Sequence, residues 1–337
     1  MEKVLVTGVS GYIGSHCAAE LLKNGYSVKG SLRDLTKKNE VINGISKVID
    51  PKKNLEFCEL DLMEDKGWED AMSDCDHVLH VASPFPMAEP KDKESVIQPA
   101  VQGTERALKH AKEAGIKKIV ITSSLVSMVG GNKINHLNEK NWTDPEKDNI
   151  STYMKSKTLA EKVAWDWYKD QNDQKKLELT VINPGPVYGP TLTGNLEGSS
   201  MSFINQLMEG KMSALPNVQY VMSDVRDVAE IHVKSLSKPE SNGRRLIVTT
   251  RESYSFINVA EILHLNGFIK KMPSKAPSLL LKTIGLFNNE VKGMLPFVDS
   301  KVTADTSLTE KIFNWKSRSL QEMIMDTAES IKLTKQL

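Results

Sequence analysis

A chain of 337 residues, 39% of them apolar and 26% charged, can bury a large core and needs no stapling by disulfides or metals. Its 44 basic and 43 acidic residues leave a formal charge of +1, so there is no electrostatic surplus to drive binding to nucleic acid or to an anionic membrane. Three cysteines, Cys17, Cys58 and Cys75, cannot all pair and match neither a metal-ligand spacing nor a two-cysteine redox motif, which points to a reducing, cytoplasmic setting.

From Lys3 to about Asn183, short apolar runs alternate with segments of helical period, as in a parallel sheet covered by helices on both faces. The first predicted strand, KVLVT, runs straight into VTGVSGYIGSH, where Gly8, Gly11 and Gly14 recur every third residue at the opening of a helix. Gly8 permits the tight turn, Gly11 lets backbone approach a pyrophosphate and Gly14 allows helix to pack on strand, while the helix amino terminus offers free N–H groups to an anion. The dinucleotide is therefore expected against Gly8, Ser10, Gly11, Tyr12, Ile13 and Gly14. The helix that follows carries Ile13, Cys17, Leu21 and Leu22 on one face and ends before Gly25.

The second strand, YSVKGSL, is followed by Arg33 and Asp34, with Lys37 and Lys38 close behind. Asp34 could take the ribose hydroxyls of NAD; Arg33, a fixed fork of donors that can also stack on adenine, favours the 2′-phosphate of NADPH. A lysine-rich connection containing a helix leads to the strand LEFCEL, and the next strand is HVLHVA. His77 and His80 in that strand face opposite ways, and the other histidines lie apart from carboxylate or cysteine neighbours, so no metal site is expected.

The strand KIVITS ends at Ser123 and Ser124, on the sheet edge where doubly wound folds hold their ligands. A predicted helix, STYMKSKTLAEKVAWDWYK, places Tyr153 and Lys157 four residues apart and hence on one side. A neighbouring ammonium favours the phenolate, so Lys157 is expected to bring the Tyr153 phenol down from its ordinary value near 10 toward one useful for proton transfer. After the strand LELTVIN the pattern turns irregular, and residues 184–337 are expected to form mainly a smaller substrate lobe, apart from a strand near 244–250 that returns to the 1–183 dinucleotide domain. Phe85 and Tyr188 are candidate substrate contacts. No apolar run reaches the length of a membrane span; the cluster at 279–281 is broken by Lys282.

Taken together, VTGVSGYIGSH, SLRD, Asp61 with Leu62, HVASPF, YMKSK, INPGPVYGP, VRDVAEIH and FNWKSRSLQEMIMDTAESI resemble, in order and spacing, the extended short-chain dehydrogenase/reductases. Within them the chain is similar to the group of dihydroflavonol reductase, cinnamoyl-CoA reductase and related NADPH aldehyde and ketone reductases, over nearly its whole length. The resemblance implies a Rossmann-like fold and reduction of a small-molecule carbonyl. It implies that Tyr153 donates the proton, that Lys157 lowers its pKa and binds ribose, and that Ser124, the second serine of its pair, bonds the carbonyl oxygen. It further implies that Asp61 and Leu62 border the adenine, that Ala82 and Ser83 line the cofactor, and that Pro184 and Val187 flank the nicotinamide. Two positions depart from the pattern: Gln102 stands where an asparagine often precedes Gly-Thr, and Val129 stands where plant dihydroflavonol reductases read flavonoid hydroxyls with asparagine. Other readings are a nucleotide-sugar epimerase or dehydratase, which would end its second strand in an acid where this chain has Leu32, a sterol dehydrogenase, and a redox sensor that binds NADPH without turnover.

Overall fold

The computed structural model describes residues 1–86, 88–129, 135–172, 176–284 and 295–335. Seven strands form one sheet: β1 Lys3–Thr7, β2 Ser27–Leu32, β3 Leu55–Glu59, β4 His77–His80, β5 Lys118–Thr122, β6 Glu178–Pro184 and β7 Arg244–Val248. Their order is β3-β2-β1-β4-β5-β6-β7, and every neighbouring pair is parallel. Each of the seven predicted strands overlaps one of these, and β6 runs one residue past LELTVIN to Pro184. Apolar side chains on both faces explain the parallel pairing, since such a sheet must be covered twice. Val4 and Val6 of β1 pack into one apolar cluster and Leu5 into another, as the period of two requires.

On one face lie α1 (Tyr12–Lys23) and α2 (Lys38–Ser46); on the other lie α3 (Trp68–Met72), α4 (Glu94–Glu113) and, beyond the short α5 (Val126–Val129), α6 (Thr152–Lys169). Strand order reverses between β1 and β4, which opens a crevice outside their carboxyl ends. Past Pro184 the chain passes more than once between the sheet and a second apolar cluster. The chain leaves the sheet for α7 (Ser199–Met208) and returns for α8 (Val225–Leu236), whose Val228, Ile231 and Leu236 share a cluster with Cys17 and Leu21 of α1. It forms β7, leaves again for α9 (Phe256–Leu265) and α10 (Ser278–Ile284), and comes back with α11 (Ser307–Phe313), where Thr309 Oγ1 donates to the Ile247 carbonyl at 2.8 Å. The smaller lobe is held by α7, α9 and the terminal α12 (Leu320–Lys335), through Met201, Ile204, Val259, Leu263, Met323 and Ile331. No helix among the described residues is long and apolar enough to cross a membrane.

Candidate active site

The glycine turn closes on itself between β1 and α1. Gly8 adopts φ +69°, and the Gly11 amide donates to the Gly8 carbonyl at 3.0 Å. A Cβ at Gly14 would lie 2.3 Å from the Gly8 carbonyl oxygen, so only glycine lets α1 start this close to the strand. A Cβ at Gly8 would lie 3.0 Å from the Cβ of Ala82, just past β4, which brings the turn against the second strand of the crevice. Thr7 anchors that contact: its hydroxyl oxygen accepts from the amides of Val81 and Ala82 at 3.0 Å, leaving its proton for His80 Nδ1 at 3.0 Å. Of the other expected turn residues, Ser10 is half-buried and Ile13 packs on the sheet core, whereas the Tyr12 hydroxyl donates to the Gly189 carbonyl at 2.8 Å. Tyr12 thus ties α1 to the segment after β6, and only its backbone can serve an anion.

Past β2, Arg33 and Lys37 are exposed, and Arg33 makes no side-chain hydrogen bond or ion pair to another described residue. Asp34 is otherwise engaged. Its Oδ1 accepts from the amide of Thr36 at 2.9 Å and from its hydroxyl at 2.6 Å, and these bonds hold the carboxyl below its ordinary value. Asp61 accepts from the Met63 amide at 2.7 Å, and Leu62 fills the space that a side chain at Gly103 of α4 would need.

Across the crevice, α6 starts with two caps: Ser151 Oγ accepts from the Met154 amide at 3.2 Å, and the Glu89 carboxylate takes the Thr152 amide at 3.2 Å and the Thr152 hydroxyl. One turn in, Tyr153 meets Phe85 edge-on, ring centroids 4.9 Å apart, and its phenol lies within reach of the Ser124 hydroxyl. Lys157, 7% exposed, donates to the Thr122 carbonyl at 3.1 Å. Ser124, Tyr153 and Lys157 therefore meet at the carboxyl end of β5. The two serines differ: Ser123 is buried and donates to Glu161, so Ser124 alone faces the phenol.

The electrostatic balance runs opposite to that expected from the helical spacing. Burial pushes the Tyr153 phenol up to about 12, with only the bond to Ser124 opposing it. Burial also pushes the Lys157 ammonium down to about 8, opposed by the charge of Glu161. At neutral pH the phenol is therefore protonated and the amine mostly charged, a state that can give a proton but does not readily take one.

Several participants escaped the sequence. Glu161 is fully buried and bonded to Arg245 of β7, Ser123, Ser127, Asn183 and Trp165. A signal for it existed: Glu161 falls four residues after Lys157, on the same inward face of α6. Arg245 likewise alternates with the exposed Arg244 in a strand. Tyr188, expected against substrate, is instead 2% exposed, packed among Met201, Ile204 and Met323, because α7 and α12 close over it past the end of β6. Phe85, 47% exposed beside Tyr153, keeps a position where it can meet substrate. Val129 sits in an apolar cluster with Leu125, Met128 and Tyr220. Gln102 bonds Gln98 and Arg106 along α4, while Thr104 borders the small cavity beside Lys157. Pro184 accepts the Leu125 amide at 2.9 Å, joining β6 to the Ser124 segment, and Val187 follows half-buried. Among the described residues no cluster of His, Cys, Asp or Glu could hold a metal ion.

The chain is 29% identical over 351 residues to NADPH-dependent methylglyoxal reductase GRE2 of Saccharomyces cerevisiae, covering 97% of each chain. It is 32% identical over 251 residues to cinnamoyl-CoA reductase 1 of Petunia hybrida, covering 73% of this chain and 72% of that one. Among solved structures, that of the yeast methylglyoxal/isovaleraldehyde reductase Gre2 complexed with NADPH superposes with a TM-score of 0.80 at 26% identity, covering 99% of both chains. Residues 4–248 match the NAD dependent epimerase/dehydratase family, to which this chain belongs.

Proposed function

We propose that the protein reduces a small-molecule aldehyde or ketone to the alcohol with NADPH. The observation that carries this reading is the meeting of the Ser124 hydroxyl and the Tyr153 phenol at the carboxyl edge of β5, where the buried Lys157 donates to the Thr122 carbonyl. Ala82 lines the cavity next to Lys157 and also touches Gly8, so it links this centre to the glycine turn. Both named relatives are carbonyl reductases, one of them NADPH-dependent.

The residues fit a dinucleotide phosphate. The turn has no room for side chains at Gly8 and Gly14, and the start of α1 presents amides to a pyrophosphate. Arg33 is free to fork onto a 2′-phosphate, whereas Asp34, the acid that could take the ribose hydroxyls of NAD, is engaged by Thr36, and Leu32 stands where an NAD-retaining epimerase would carry its acid. Asp61 and Leu62 would border the adenine, Ala82 and Ser83 would line the cofactor, Pro184 and Val187 would flank the nicotinamide, and the remaining protons of Lys157 would hold the ribose, as the family resemblance implies. When bound, NADPH supplies the hydride. Ser124 orients the carbonyl oxygen by a hydrogen bond, and Tyr153 gives its phenolic proton to that oxygen as negative charge develops there. The Lys157 charge stabilises the phenolate left behind. Unpaired thiols at Cys17, Cys58 and Cys75 accord with a reducing, cytoplasmic setting.

A panel of aldehydes and ketones assayed with NADPH and NADH side by side tests this reading; consumption of neither cofactor with any carbonyl would reject it. Arg33→Ala should raise the dissociation constant for NADPH by about tenfold or more and leave NADH nearly unaffected, since a charge-assisted phosphate contact is worth roughly 1.5–3 kcal/mol. Equal losses for both would remove Arg33 from phosphate recognition. Because Lys157 must carry its charge, kcat/KM should hold steady at neutral pH and fall as pH rises through about 8. A profile flat to pH 10 would show that the ammonium is not needed.

A further inference from the structure

Beneath the proton-donor centre lies a buried ion pair that the steps above do not use. Glu161 is 1% exposed. Its Oε1 takes Arg245 Nε at 2.5 Å and Trp165 Nε1 at 3.2 Å, and its Oε2 takes Ser123 Oγ at 2.5 Å, Ser127 Oγ at 2.6 Å and Asn183 Nδ2 at 2.9 Å. Arg245 is fixed from behind, donating to the carbonyls of Glu139 and Asn141 at 2.9 and 2.6 Å with its guanidinium 3.7 Å from the Trp142 ring centroid.

Two of these partners reach the serine of the centre. Asn183 Nδ2 also lies 3.3 Å from the Ser124 carbonyl, and Ser127 Oγ lies 2.8 Å from it. On the other side, Glu161 and Lys157 stand one helical turn apart and line the same small cavity with His80, Thr104 and Ser123. A buried ion pair is a poor source of stability, because the cost of stripping its water can exceed its attraction, and apolar residues of equal volume often serve as well. Its retention here calls for another reason.

We infer that Glu161, locked in place by Arg245, is a positioning residue that holds the Ser124 backbone and the Lys157 ammonium on one rigid frame. The inference rests on the carbonyl-reductase reading for its effect on turnover, but the frame can be measured without turnover. The groups that face Lys157 make the electrostatic part of the case. From its own helix comes Glu161; the Tyr153 phenol one turn away carries no charge to set against it, because burial keeps it protonated up to about 12. From β4 comes His80, whose imidazole burial pushes down to about 3, so it stays neutral. From β5 come the Thr122 carbonyl and the Ser123 hydroxyl, and from α4 the Thr104 hydroxyl. Arg245 of β7 bears on Glu161. Glu161 is thus the one full negative charge that this set of groups presents to the ammonium.

The test compares Glu161→Gln with the double variant Glu161→Gln/Arg245→Met, which removes the partner charge as well and so keeps the experiment informative if the single variant does not fold. Competitive acylation followed by mass spectrometry reads the pH at which Lys157 loses its proton, with denaturation midpoints measured in parallel. In both variants the Lys157 midpoint should move down by about one pH unit or more, the scale of a lost neighbouring opposite charge. The alkaline limb of kcat should move with it, while the NADPH dissociation constant changes by less than about threefold. The double variant should regain most of the denaturation midpoint lost in the single one without regaining the Lys157 midpoint. An unchanged Lys157 midpoint in either folded variant overturns the inference, as does recovery of both stability and the original pH profile in the double variant. Wild-type protein that turns over no carbonyl would reject the reductase reading alone, because the Lys157 midpoint is read without substrate.

Discussion

Replacing Tyr153 by phenylalanine is expected to lower kcat for carbonyl reduction by about 10²- to 10⁴-fold, the usual contribution of a positioned proton donor. That corresponds to roughly 3–5 kcal/mol on the barrier. The substitution deletes one oxygen and keeps the ring, so the edge-on contact with Phe85 at 4.9 Å and the packing of α6 persist. What is lost is the phenolic hydroxyl that lies within reach of Ser124. On the proposed reading NADPH is held by the glycine turn, Arg33 and Lys157, so its binding should stay within about threefold of wild type, as fluorescence titration would show. Single-turnover rates separate the chemical step from product release; a rate within threefold of wild type would take Tyr153 out of the mechanism.

The second large effect belongs to Gly14→Ala. The added methyl would lie 2.3 Å from the Gly8 carbonyl oxygen, 3.0 Å from its carbon and 3.1 Å from the Cα of Val9. All three atoms are backbone, so no rotamer relieves the clash and the turn itself must open. Opening it breaks the bond from the Gly11 amide to the Gly8 carbonyl and shifts the start of α1. We expect about 3 kcal/mol of destabilisation, the upper range for overpacking, and loss of NADPH binding by about 100-fold or more. Gly25→Ala is the control. Nothing lies within 4 Å of its added methyl, but φ is +80°, so it should cost roughly 1–2 kcal/mol with NADPH affinity intact. Denaturant midpoints and cofactor titrations of the two variants check both statements, and a Gly14→Ala protein that binds NADPH normally would show that the turn does not hold the cofactor.

The sheet was legible from sequence because strand formation is a local matter. β-branched and apolar runs such as the IVI of KIVIT and the LIV of RRLIV resist exposure on either face, and their pattern needs no knowledge of distant partners. The same holds for the glycine turn, where steric limits act within a few residues, and for Tyr153 and Lys157, whose spacing alone puts them on one side of a helix. Asp34 shows how far local chemistry reaches: its engagement with Thr36 is an i to i+2 contact that the motif Asp-Leu-Thr already contained.

Charge and solvation were decided elsewhere. An arginine in a strand and a glutamate on a helix both read as surface groups until folding brings residues 84 apart into contact, as it does for Arg245 and Glu161. Tyr188 became core rather than pocket because α7 and α12 close over it, and the Tyr153 phenol rises rather than falls because burial, a property of the whole packed assembly, outweighs the spacing of two side chains. Backbone periodicity follows from neighbours in the chain, so the sequence alone determined the parallel sheet, the turn and the spacing of tyrosine and lysine. Desolvation depends on every atom that excludes water from a group, so only the tertiary structure could decide which of these residues are charged, which are free, and what holds them in place.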